Sequence, residues 1–161
     1  MIRTLGLVFT VPLAAHAQAA NTPEMHSLAV ATFSLACIAP APDLAASETA
    51  MEDAGLQKQA NGVYSGFGGQ VIGILTSRNE DKTRTCAVGL VLGTAEPLVA
   101  AMADLAAAHW QDEAQVMINP AAPPLFIKPN DGWTSSMTLA LNDPNLPLMN
   151  HISHAPEGFV E

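Results

Sequence analysis

The chain has 161 residues, 49% of them apolar and 13% charged, with a formal net charge of −9. That composition supports one domain with a hydrophobic core and excludes a disordered polyampholyte. No five-residue window holds more than two of the six Lys and Arg residues, so phosphate neutralisation, and with it nucleic-acid or anionic-lipid binding, is not expected.

The N-terminus reads as a secretory leader. Arg3 is the basic start, Leu5 to Ala15 the apolar run, and Ala15-His16-Ala17 the small-residue cleavage site. The run is too short to span a bilayer. Cleavage after Ala17 removes Arg3 and shifts the net charge from −9 to −10. The expectation is therefore a leader over 1–17 and a single domain over 18–161, periplasmic or secreted, with no membrane insertion once the leader is gone. Ser34-Leu35-Ala36-Cys37 has some likeness to a lipoprotein processing site, but it lacks the usual leucine and lies far from the N-terminus.

Thr22-Pro23-Glu24 starts a helix: threonine caps, proline tolerates the first position, and glutamate suits the positive end. The helix is expected to run to about Cys37, where Ile38 to Pro42 ends it. A second helix is expected from Pro42 to Ala54, closed by Gly55. Asn61 to Gln70 is glycine-rich but has neither dinucleotide nor P-loop spacing, and reads as a turn or bulged strand edge. Gln70 to Arg78 and Thr83 to Leu92 form a hairpin around the polar turn Asn79 to Lys82. Its second arm alternates, with Cys86, Val88 and Leu90 on one face and Thr85, Ala87 and Gly89 on the other.

Thr94 starts a third helix, ending near Trp110. Short strands follow at Gln115 to Ile118 and Leu125 to Lys128, then a turn at Pro129 to Gly132. Trp133 to Leu141 alternates as an antiparallel strand, with Thr134, Ser136 and Thr138 on its polar face. The last twenty residues hold three prolines and no sustained period, and are expected to be an irregular tail from about 142 to 161. No internal repeat is visible. The whole predicts a single α+β domain: an antiparallel sheet of about four to six strands, with about three helices mainly on one face.

An oxidising compartment and two cysteines, Cys37 and Cys86, predict one disulfide joining helix to strand. At 49 positions apart they do not make the CxxC pair that redox chemistry of that kind needs. For function, His151 and His154 are weak metal candidates: three apart, they share a face if the segment is helical. His109, Asp112 and Glu113 gather acid–base groups at a helix end and are weak catalytic candidates. No cofactor site is expected. With no coherent catalytic set, the expected function is a non-catalytic binding or accessory module for an unknown protein or small-molecule partner. A small hydrolase or metal-dependent enzyme using these histidines, or a structural envelope component, stands as the alternative.

Overall fold

A computed structural model describes residues 22–78, 82–111, 114–118, 122–130 and 133–155. The expected leader over 1–17, Asp112 and Glu113, the Asn79–Asp81 part of the hairpin turn and the last six residues lie outside that set. Helix α1 (Pro23–Phe33) begins where the sequence predicts, with the Thr22 hydroxyl accepting from the Met25 N–H at 3.3 Å. It continues into a π-helical turn, Ser34–Ile38, in which the Ala39 N–H reaches back five residues to the Ser34 carbonyl. Helix α2 (Leu44–Asp53) is capped by Asp43, whose carboxylate accepts from the Ala45 and Ala46 N–H groups. These bonds satisfy donors that have no partner inside the helix. Gly55, at φ +88°, takes the left-handed position that ends it.

The strands are β1 (Gln57–Lys58), β2 (Tyr64–Gly66), β3 (Val71–Arg78), β4 (Thr83–Leu90), β5 (Gln115–Met117), β6 (Leu125–Asn130), β7 (Trp133–Ala140) and β8 (Leu148–His154), with helix α3 (Ala95–Trp110) between β4 and β5. They form one antiparallel sheet in the order β1-β2-β3-β4-β8-β7-β6-β5. The α+β class and the helix-to-strand disulfide stand as expected, but the sheet has eight strands rather than four to six. Two of the additional strands, β1 and β2, span only two and three residues, too short to show a period in sequence.

The larger correction concerns the C-terminus. Residues 148–154, expected in an irregular tail, form β8, which lies at the centre of the sheet between β4 and β7. The inward face of β8 reads Met149, His151, Ser153 and its outward face Leu148, Asn150, Ile152. His151 and Ser153 inside, with Leu148 and Ile152 outside, erase the hydropathy alternation that marks a half-buried strand.

The chain thus lays down the same arrangement twice: helix, then a four-stranded meander, with the last strands of the two meanders, β4 and β8, paired antiparallel at the centre. β1 and β5 occupy equivalent outer edges. All three helices pack on one face. The Cys37–Cys86 bond, with 5.2 Å between Cα atoms, joins the π-turn to β4. Met51 of α2 sits over Gly73 of β3, where a Cβ would lie 2.6 Å from its sulfur. Trp110 of α3 meets the His151 ring of β8 at 6.1 Å between centroids. Cross-strand register places Gly73, Cys86 and Val88, His151 and Met149, and Met137 on this same face. Phe33, Met51, Val88, Leu98, Met102, Met137 and Met149 are fully or almost fully buried between helices and sheet, which supplies the main favourable term in folding.

Candidate functional site

The two histidines of the metal candidate are separated by the strand itself. In β8 successive side chains alternate, so His151 and His154, three apart, leave on opposite faces. His151 is 3% exposed under the helices, while His154 is exposed and its Nδ1 lies 3.2 Å from the Thr83 hydroxyl on the other face. The helical segment that a shared ligand pair requires is absent. Among the described residues no group of three or more His, Cys, Asp or Glu side chains is placed to hold a metal.

His109 lies exposed near the end of α3, and its Nε2 is 3.0 Å from the Ser34 hydroxyl in the π-turn. A serine–histidine contact is the first requirement of a nucleophile and its base. The second is a set of donors for the developing oxyanion. The Ser34 N–H is already given to the Val30 and Ala31 carbonyls, so the nucleophile's own amide cannot serve. The pair acts instead as a tie between helices. At the other end of the same helices, His26 donates from Nδ1 to the Thr22 carbonyl at 2.9 Å. That leaves Nε2 to accept from the Thr94 hydroxyl at 3.2 Å. The two ties hold α1 and α3 side by side in the same direction. They also explain why Thr94, though at the N-cap position of α3, makes no capping bond. His26, Ser27, Val30, Thr94, Pro97 and Ala101 line a groove of about 480 Å³ beside the tie. Asp112 and Glu113 lie outside the described residues.

A second polar group fastens α2 to the sheet margin. The Tyr64 hydroxyl donates to Glu48 Oε1 at 2.7 Å and Lys58 Nζ donates to the same oxygen at 2.6 Å. The Lys58 bond, and then the Tyr64 bond, hold the Glu48 carboxyl below its ordinary range, and the carboxylate raises Lys58 in return. Burial raises the Tyr64 phenol. The glycine-rich stretch becomes β2 and a single 3₁₀ turn, Phe67–Gly69.

A cavity of about 10 Å³ lies beside the disulfide, bordered by Ser47, Arg84, His151 and Ser153 among others. It has room for a single water at most. Burial there lowers the His151 pKa from 6.5 to about 4. No carboxylate borders the cavity, so nothing compensates a charge on the ring, and the group stays neutral near pH 7.

The face of the sheet away from the helices has a chemistry of its own. Three register rows cross it. One runs Ile72, Gly89, Leu148, Ala140; the next Ile74, Ala87, Asn150, Thr138; the third Thr76, Thr85, Ile152, Ser136, Ile127. None of these residues is charged, and most are half-buried. Ser136 donates to the Ile152 carbonyl and Asn150 to the Leu148 carbonyl, which fixes the orientation of both side chains. The sequence reading placed Thr134, Ser136 and Thr138 on a polar face. It missed the centre of that face, because β8 was not visible as a strand.

Fold and surface together define an α+β domain with a helical back and a sheet front on which three adjacent rows carry no charge, Arg78 and His154 lying in the row beyond. Comparison with protein-family models, curated proteins and solved structures finds no match for this chain. No described helix is long and apolar enough to cross a membrane.

Proposed function

We propose that the protein is a non-catalytic binding or accessory module of the periplasm or exterior, and that it meets its partner with the helix-free face of the sheet. One observation carries this reading: thirteen residues in three adjacent rows present aliphatic groups, hydroxyls and an amide without a single charge, on a chain of net charge −9. Such a surface recognises by shape, apolar contact and hydrogen bonds rather than by Coulomb attraction. The partner it fits is a protein surface of mixed character, and its binding depends little on salt. The export reading supports the compartment, as does the disulfide.

The test is photo-crosslinking in the exporting cell, with p-benzoylphenylalanine at Thr76 or Thr138 on the open face and at Ala100 or Ala103 on the exposed side of α3. Adducts of one discrete mass from the sheet positions alone are expected. Equal adducts from the α3 positions, or none from the sheet, overturn the proposal.

A further inference from the structure

Three polar side chains lie buried between α2 and the centre of the sheet. Ser47 of α2 and His151 and Ser153 of β8 are 1%, 3% and 1% exposed. Among the described residues, none of these three side chains makes a hydrogen bond to another group of the protein. Yet no side-chain nitrogen or oxygen sealed among its neighbours lacks a partner, so the polar atoms of the three are not walled in by apolar groups. They share an opening: all three border the cavity of about 10 Å³ beside the disulfide. Burying a hydroxyl or an imidazole with nothing to bond is costly, and a polar cavity of this size holds one water.

We infer that this cavity is the binding site of a single internal water that joins Ser47 on α2 to His151 and Ser153 on β8. The chemistry of the lining selects it. A neutral imidazole offers one N–H donor and one bare nitrogen, and each hydroxyl both donates and accepts, so the water finds the two to four partners it requires. A metal ion does not fit, because no carboxylate borders the cavity and His151 is its lone imidazole. Arg84 also borders the cavity, but its Nη1 donates to the Pro42 carbonyl at 3.3 Å and its guanidinium lies over the Trp133 ring at 4.9 Å. The volume is too small for a polyatomic anion. The water links a helix of the first half of the repeated arrangement to the last strand of the second. Its hydrogen bonds have direction, which the apolar packing of Met51, one turn along the same helix, lacks. The site thereby fixes how α2 is rotated over the sheet.

The test uses the exported chain in solution. Water-selective NOE and rotating-frame spectra at pH 7 are expected to show contacts from water to the carbon-bound ring protons of His151, with the sign of a water that tumbles with the protein. Relaxation dispersion of the water oxygen, which proton exchange from the hydroxyls does not affect, should count one long-lived water fewer in Ser47→Val and in Ser153→Val. In each, the added methyl groups take the place of the hydroxyl and the water beside it. The ring contacts of the wild type decide the matter even where a valine variant fails to fold. No long-lived water in contact with His151, a count that both folded variants leave unchanged, or a chloride resonance that the wild type broadens and Ser153→Val does not, which would mark an anion in the same place, overturns the proposal.

Discussion

Acidification should destabilise this protein through His151 in a way that one substitution removes. The ring is 3% exposed. It is bordered by Arg84 of β4, Ser47 of α2, Ser153 and the disulfide, and it packs against Trp110 of α3. Burial is what disfavours a charge on the ring, and among the described residues no carboxylate lines the cavity to offset it. Its pKa is about 4 in the folded protein against 6.5 for the ordinary side chain, so between those values the unfolded chain takes up a proton that the folded one refuses. Stability is therefore fully present above the unfolded pKa and is lost as pH falls from about 6.5 toward 4, with no further loss from this group below. At about 1.4 kcal/mol per unit, the gap corresponds to about 3 kcal/mol. His151→Phe keeps a ring against Trp110 and cannot be charged. In urea denaturation at pH 7, 6, 5 and 4, the stability difference between His151→Phe and wild type should grow in favour of the variant by about 3 kcal/mol. Carboxylates titrate in both proteins and cancel in the difference. A pH-independent difference would reflect packing alone, and parallel curves would refute the argument.

Three other outcomes follow from the packing. Replacing Cys37 and Cys86 together by Ala should cost about 4 kcal/mol in urea denaturation, from the loop-closure entropy of a bond between residues 49 positions apart; a loss under about 1 kcal/mol would show that the bond is not what restrains the unfolded chain. Gly73→Ala should cost about 1–3 kcal/mol, because the new Cβ meets the Met51 sulfur at 2.6 Å. Adding Met51→Ala should then cost less in that background than in wild type, and strictly additive losses in thermal melts would contradict the contact. His26→Ala removes the bonds to Thr22 and Thr94 and should lower stability by about 1–3 kcal/mol, with faster amide exchange in the first turns of α1 and α3; unchanged exchange there would count against the tie.

Sequence logic was strongest where a single residue type dictates a local geometry. Thr22 caps the first helix because its side chain replaces a missing intrahelical acceptor, whereas the Asp43 cap, one residue beyond the expected Pro42 start, was not anticipated. The Asn61–Gln70 stretch was legible as irregular because glycines such as Gly62 and Gly68 occupy positive φ. The Ser34–His109 and His26–Thr94 pairs were not legible, since 75 and 68 positions separate their members and no local period records such a contact. The histidines of the HISH stretch were misleading for a related reason: their spacing implies proximity only on a helix.

Left to itself, the amino-acid order determined the helices, the alternating arms of the first hairpin, the α+β class and the disulfide, for which two cysteines allow one intramolecular pairing. Tertiary structure alone decided that Leu148–His154 enters the sheet beside a strand some sixty residues earlier, that His151 and His154 part company, and that the uncharged rows assemble. The reason is physical. Helix caps and strand alternation are satisfied within a few residues, whereas a strand's partners are chosen by which distant edges remain unpaired once the helices have covered one face.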